Sequence, residues 1–242
     1  MYDLAEFSIR DMTHCGAALR RTGEAAASME DVARRMVRFL REHLVLPSGD
    51  PACPLVRFFL TQPFADLDAE ARAFAARQLG GSAERPRCLA LLASAGSRPE
   101  WNDRRTSRGH KALPLFGSET VRRLPMVAEL LRQLGAEAFP AGAAVDPAEC
   151  RYDVFYVPEA AGSPHVVDQE FVRAEAIRSV LGFGGLLPSG DLFALVLVGR
   201  CAVPPRTAAL FRPMALNALL AVLPFTFRDV FASPGVREEM SV

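Results

Sequence analysis

Apolar and polar residues follow one another in blocks that predict helices at both ends of the chain and strands between them. Two apolar runs, 180–183 and 192–198, flank the sequence Pro-Ser-Gly-Asp at 188–191. Proline presets φ, glycine adopts positive φ, and serine and aspartate bond back to the backbone, so this segment predicts a β-hairpin turn. The second run is apolar throughout, which is typical of a covered central strand. The glycine-rich sequence at 182–185 predicts a bulge or a close approach by another group.

Helical periodicity marks three larger segments. The spacing of apolar residues predicts helices over 3–21 and 28–44, the second beginning at a capping Ser28. The segment 207–223 is apolar nearly all round from Met214 onward, which indicates a helix enclosed in its own domain or paired with another chain. Its run of roughly ten apolar residues is shorter than the ~20 that a bilayer crossing needs.

Shorter elements occupy the middle of the chain. The predicted strands are 55–60, 87–95, 112–116 and 152–157. The predicted short helices are 68–79, 118–134 with an interruption at Pro125, and a further one within 164–175.

Composition narrows the class of protein. The chain has 242 residues, half of them hydrophobic, which suits one large domain or two small ones. Twenty-eight basic residues balance 28 acidic ones, so the charge gives no reason to expect a nucleic-acid partner. The N-terminus carries acids where a signal peptide would be basic and then apolar, which predicts a cytoplasmic protein. In that compartment the five widely spaced cysteines are expected to be free thiols.

Several segments carry a resemblance to a known family. The sequence IRSVLGFGGLLPSGDLFALVLVGR at 177–200, followed by an apolar helix, resembles the end of a GAF domain. The opening MYDLAEFSIRDMTHCGAALRRTG, the middle PEWNDRRTSRGHKALPL and the hairpin resemble a sensory module at the N-terminus of bacterial histidine kinases and cyclases. The resemblance covers residues 1–232 and leaves 233–242 as a tail. It implies a single α+β domain: an antiparallel sheet with N- and C-terminal helices on one face and a ligand pocket on the other.

The resemblance also implies a role. GAF domains sense small molecules such as cyclic nucleotides, haem or other tetrapyrroles, or bind no ligand, and signal through a helical dimer interface. We therefore expect a non-enzymatic cytoplasmic sensor that binds a small molecule and forms a homodimer, without a nucleic-acid or membrane partner. No kinase or cyclase pattern follows the domain, so it acts through a downstream signalling protein or belongs to a longer one. The alternatives are a thiol redox enzyme or sensor of GAF fold, and a dimerisation scaffold that binds no ligand.

The polar stretch 100–111 is the first candidate site. Tryptophan offers a stacking face, arginine a planar fork for carboxylate or phosphate, and histidine a group that titrates near neutral pH. The candidate ligand-binding residues here are Trp101, Arg104, Arg105, Ser107, His110 and Lys111. The alternative is a solvated loop with Trp101 packed on the core.

A second polar cluster precedes the hairpin. Its candidate ligand-binding residues are His165 and Gln169, and Gly184 in the hairpin is added because a missing side chain opens volume. The alternative is a capped helix start, with Ser163 or Asp168 as the cap. If the fold is GAF-like, the segments 100–111 and 163–171 should converge over the sheet.

Metal and redox chemistry have weaker support. No histidine or cysteine has the spacing of a zinc site, so no metal ligands and no catalytic residues are assigned. Haem needs only one or two axial ligands, so the sequence leaves haem or another tetrapyrrole open. Cys53 lies in a proline-rich loop, four residues before Arg57, and is the one thiol expected to be accessible. It is the redox candidate.

Overall fold

The structure is a computed structural model of the chain. It describes residues 1–81, 83, 85–107, 110–115, 125, 128–129, 132, 152–228 and 230–231. Most of the predicted helix 118–134 and all of the tail 233–242 lie outside the described residues.

Eight strands and six α-helices are described. The strands are β1 (Tyr2–Asp3), β2 (Leu44–Val45), β3 (Leu55–Pro63), β4 (Arg87–Gly96), β5 (Ala112–Pro114), β6 (Tyr152–Val157), β7 (Ser179–Leu186) and β8 (Leu192–Gly199). The helices are α1 (Ile9–Arg21), α2 (Met29–His43), α3 (Ala69–Gln78), α4 (Gln169–Ala174), α5 (Pro205–Ala209) and α6 (Phe211–Val222).

The main sheet has six antiparallel strands in the order β5-β4-β3-β8-β7-β6. The predicted hairpin is confirmed: β7 and β8 pair in register from Ser179 with Gly199 to Leu186 with Leu192. The apolar strand β8 lies between β3 and β7, at the centre of the sheet, as its composition indicated. A Cβ on Gly184 would overlap the carbonyl oxygen of Phe193, so the glycine allows the close approach that the sequence predicted. The β8 backbone occupies this space, so the expectation that Gly184 opens volume for a ligand is wrong.

Three helices cover one face of this sheet. Both α2 and α6 pack on the strands, and α1 packs on α6. Alternate strand residues such as Phe58, Phe183 and Leu195 are buried in the core that results. The predicted α+β class and the antiparallel sheet with N- and C-terminal helices on one face are confirmed.

The N-terminal helix is shorter than predicted. It begins at Ile9, because Ser8 and Asp11 form a reciprocal capping box that fixes the first turn. The residues before it leave the helical path, and β1 pairs in parallel with β2. The second helix begins after Ser28, whose side chain accepts a hydrogen bond from the Asp31 amide, as expected of a cap.

The predicted helix 207–223 is two helices, α5 and α6, which meet at Leu210. The helical run Pro205–Phe225 has 21 residues and meets the length and hydropathy of a membrane span, so the expectation that it is too short is wrong. A core helix passes the same test, and 44% of the most apolar window is buried in this fold. On the opposite side, Leu216, Leu220 and Leu223 are 37–40% exposed.

The second face of the sheet carries a smaller core. Phe155, Val180 and Val196 are buried there. The loop 97–111 and the connection 158–178, which contains α4, approach this face, since Trp101 in the loop contacts Phe171 in α4. We call this second face of the sheet the loop face.

Candidate functional site

Five residues on neighbouring strands form a row across the loop face. Their order is Ser94, Arg57, Val196, Gly182 and Phe155, each registered with the next. Strand neighbours lie ~5 Å apart, so the row spans roughly 20 Å across the sheet. We call it the Arg57 row.

Arg57 is the charged residue of this row and the least satisfied. Its guanidinium donates one hydrogen bond, from Nη2 to the Ser107 hydroxyl at 3.3 Å, and its buried Nε has no partner. Among the described residues, no carboxylate forms an ion pair with it. Burial lowers the pKa of Arg57 to about 10. The loop face therefore holds a poorly solvated positive charge that no described residue neutralises.

Unpaired polar atoms also lie at both ends of the row. Next to Arg57, the Ser94 hydroxyl is buried and has no hydrogen-bond partner. Near the other end, the ring of His165 meets Phe155 edge to face, with centroids 6.3 Å apart. Its Nδ1 is buried and also unpaired. A buried polar group without a hydrogen-bond partner destabilises the fold. Several such groups on one face therefore mark that face as a candidate binding site.

The first part of the loop is held against the sheet through Trp101. A Cβ on Gly96 would overlap the Trp101 side chain, so the absence of a side chain at Gly96 allows Trp101 to pack there. Asn102 accepts a hydrogen bond from the Gly96 amide at 2.9 Å. The indole meets Phe171 edge to face at 5.7 Å, and the Arg98 guanidinium lies 4.9 Å from its ring centre. Trp101 is thus part of the packed cover of the loop face.

A buried carboxylate fastens the same loop to the hairpin. Glu175, 8% exposed in its side chain, accepts hydrogen bonds from Arg98 and, at 3.0 Å, from Arg200. Arg98 lies in the loop, Glu175 lies near the end of the connection, and Arg200 directly follows β8. This network joins the cover to the sheet beside the Arg57 row.

His110 has an unusual backbone conformation and a perturbed pKa. The residue is exposed and has φ of 62°, a conformation that histidine adopts more readily than most residues. Restricted hydration and the Arg57 charge lower its pKa, while Asp168 acts in the opposite direction. The predicted convergence of 100–111 with 163–171 is observed where Trp101 lies against Phe171.

Arg104 has a different environment from the one expected. Its buried guanidinium bonds to Glu30 at 3.1 Å and to Asp68 at 2.6 Å, and lies 4.8 Å from the Phe231 ring centre. These partners satisfy it away from the Arg57 row. Lys111 similarly pairs with Glu70.

The other candidates outside the row have structural partners. Gln169 donates to the carbonyls of Ala160 and Val166 and accepts from the Gly162 amide, so its amide organises the connection. Asp168 caps α4 by accepting from the Phe171 amide, which matches the capped-helix alternative. The Arg105 amide bonds to Asp103, within the loop itself.

The expectation that Cys53 is accessible is wrong. The residue is 0% exposed, because the neighbouring Ala52 is drawn into the core by hydrogen bonds with Leu44 and Arg200. Burial raises the pKa of the Cys53 thiol far above its usual value, and raises that of Cys88 to about 11. A buried neutral thiol is a poor nucleophile. Among the described residues, no group of three or more His, Cys, Asp or Glu residues is placed to hold a metal ion.

Sequence reasoning missed Arg57 as a site residue. The signal was present: Arg57 is the one charged residue of the apolar strand LVRFFL. Its neighbours Ser94 and Val196 come from strands far away in sequence, and their register with Arg57 has no local signature.

Comparisons with known proteins give structural likenesses only. No protein-family model matches the chain, and no curated protein matches it either. The chain is similar to the solved GAF domain of a phosphoenolpyruvate-protein phosphotransferase from Coxiella burnetii, with 13% identity and a TM-score of 0.49. That match covers 90% of this chain and 94% of the other.

Two further likenesses are with proteins that sense different molecules. One is a phycoerythrobilin-bound GAF domain of a cyanobacterial phytochrome, with 12% identity, a TM-score of 0.40 and coverage of 91% and 96%. The other is CepR2 from Burkholderia cenocepacia, an N-acylhomoserine lactone dependent LuxR family transcription factor. It has 13% identity and a TM-score of 0.41, and the match covers 90% of this chain and 96% of the other. Those ligands belong to those proteins.

Proposed function

We propose that the chain is a cytoplasmic sensory module whose Arg57 row binds a small molecule carrying a carboxylate or phosphate. The observation that supports this most is the half-buried Arg57 guanidinium, which has one hydrogen bond and no carboxylate partner among the described residues. Guanidinium forks match carboxylate and phosphate geometry. A bound anion would supply the counterion and accept from the unpaired Nε.

The rest of the row favours a ligand with an apolar body. Val196 and Gly182 follow Arg57 in the row and offer no polar side-chain group. At the far end, His165 Nδ1 is available for one more hydrogen bond. The favoured ligand therefore has an acidic head at Arg57, an apolar middle and a polar group near His165. The cover formed by Trp101 and Phe171 would enclose it.

Signal output is proposed to use α6. Leu216, Leu220 and Leu223 follow one another at helical spacing and form an exposed apolar stripe. The opposite side of α6 packs on α1 and β7, within the same chain. We propose that the stripe forms a homodimer interface or contacts a downstream signalling protein, and that the sensory domain spans residues 1–232.

The test is ligand-dependent thermal stabilisation. Purified protein is screened against carboxylates and phosphates that carry an apolar group, with the corresponding amides and alcohols as neutral controls. Acids that bind the row should raise the melting temperature of the wild type and not that of Arg57→Met. Arg105→Met is the matched control and should retain the response.

Two results would contradict the proposal. An equal response to acids and to neutral controls would remove the role of charge. Retention of the acid response in Arg57→Met would place the ligand elsewhere. A response to no compound, together with an intact dimer, would favour the scaffold that binds no ligand.

A further inference from the structure

A cavity of about 610 Å³ lies at the end of the sheet where β7 turns into β8. It does not include Arg57. Its walls come from the end of β3, the start of β4, the hairpin turn and residues 226–228 and 230–231. We call it the tip cavity. Its volume is in the range that small-molecule sites occupy, ~300–1,000 Å³.

Two buried side chains that line this cavity carry oxygen atoms without hydrogen-bond partners. Gln62 is 5% exposed and Thr226 is 8% exposed, and both line the tip cavity. The Gln62 Oε1 and the Thr226 Oγ1 have no hydrogen-bond partner. A buried polar atom without a partner costs ~1–3 kcal/mol, so two in one cavity need an explanation. The Gln62 oxygen can only accept a hydrogen bond, and the Thr226 hydroxyl can accept or donate one.

The charged groups of the cavity are largely occupied with one another. Arg87 and Asp191 form an ion pair across the wall, and Asp191 also accepts from the Ser189 hydroxyl. Asp66, an exposed carboxylate at the rim, adds a further acceptor. Arg228 also lines the cavity and is exposed, so the ionised groups balance, and the buried Gln62 and Thr226 oxygens decide which ligand group fits.

One wall of the cavity is aromatic and is joined to the rest of the fold. Phe231 lines the cavity and has the Arg104 guanidinium 4.8 Å from its ring centre. The adjacent Val230 carbonyl accepts from the Glu30 amide at 2.9 Å. These contacts hold the wall in place, so the cavity is bounded by fixed groups on this side.

We infer that the tip cavity is a second ligand site, for a small aromatic molecule that presents N–H donors. An amide or an ammonium group would donate to Gln62 Oε1 and Thr226 Oγ1, and the ring would pack on Phe231. A carboxylate in the same position would leave the Gln62 oxygen without a donor and would lie near Asp66. The site is separate from the Arg57 row, so it stands whether or not that row binds an anion.

Three probes of one shape test this inference. Benzamide, benzylammonium and benzoate share the ring and differ in the head group: neutral donor, charged donor and acceptor alone. The Val230 methyl resonances report on the cavity itself, because Val230 lines it. Benzamide or benzylammonium should shift these resonances saturably, and benzoate should not. Comparing the Val230 shifts caused by benzamide and by benzylammonium shows whether the site favours a neutral or a charged donor.

Matched variants connect the response to the unpaired oxygens. Thr226→Val keeps the shape and removes the hydroxyl, and should weaken probe binding about tenfold, while Thr226→Ser should bind nearly as the wild type does. Gln62→Met provides an independent loss of the second acceptor. Binding of benzoate as strong as that of benzamide would overturn the inference, as would no saturable shift or undiminished binding in Thr226→Val and Gln62→Met.

Discussion

Replacing Arg57 with methionine should stabilise the protein. Burial lowers the pKa of Arg57 well below its usual value, to about 10. At 1.36 kcal/mol for each pKa step, this difference corresponds to a cost of about 3 kcal/mol for keeping the charge in the fold. Methionine avoids that cost and fills a similar volume.

The gain is smaller than the full cost because one interaction is lost. The hydrogen bond to Ser107 is long, at 3.3 Å, and a bond to a charged donor contributes about 1.5 kcal/mol. The net expectation for Arg57→Met is a free energy of unfolding raised by about 1–2 kcal/mol. For a chain of this size the melting temperature should rise by about 3–6 °C.

Arg104→Met is the matched contrast, since it is the same substitution at another buried arginine. It would leave the Glu30 and Asp68 carboxylates without their cation, and should lower the free energy of unfolding by about 3–5 kcal/mol. Urea unfolding followed by far-UV circular dichroism compares the two. If Arg57→Met destabilises the protein by more than about 1 kcal/mol, Arg57 stabilises the fold and the reasoning fails.

Three further predictions concern other parts of the fold. His110 has a pKa near 6.5 in the unfolded chain, and the fold lowers that pKa. The free energy of unfolding should therefore be at its full value above pH 6.5 and should decline as the pH falls through the folded pKa. His110→Asn should remove this pH dependence from a series of urea midpoints measured at different pH values. Gly184→Ala should cost about 3 kcal/mol in urea unfolding, because its Cβ overlaps the Phe193 carbonyl, and an unchanged midpoint would refute this close approach. Leu220→Asp should turn the proposed dimer into a monomer by light scattering with little loss of stability; an unchanged mass would exclude the stripe as its interface.

The sheet and its covering helices were predictable from sequence because their signals are local. The apolar runs around 188–191 specify the hairpin, and the apolar positions of α2 have helical spacing. The boundary errors have local causes as well. Ser8 with Asp11 is a capping box that ends the helical path toward Tyr2, and reading it would have corrected the start of α1.

The site was less predictable because it depends on pairing between distant segments. The polar stretch 100–111 was recognised, yet which of its side chains meets a partner is set by the tertiary fold. Arg104 meets Glu30 and Asp68, whereas Ser107 meets Arg57. Cys53 shows the same limit: its proline-rich loop has the composition of an exposed one, and the core encloses it.

The most direct test of the account observes Arg57 itself. The guanidinium Nε–H resonance of Arg57 is followed by NMR while phenylacetate or phenyl phosphate is added, with phenylacetamide as the neutral control. The account predicts a saturable shift of the Arg57 resonance with an acid, no shift with the amide, and no shift of the Arg104 resonance. An Arg57 resonance that stays unchanged with both acids, or that moves equally with the amide, would contradict the claim that this row binds an anionic ligand.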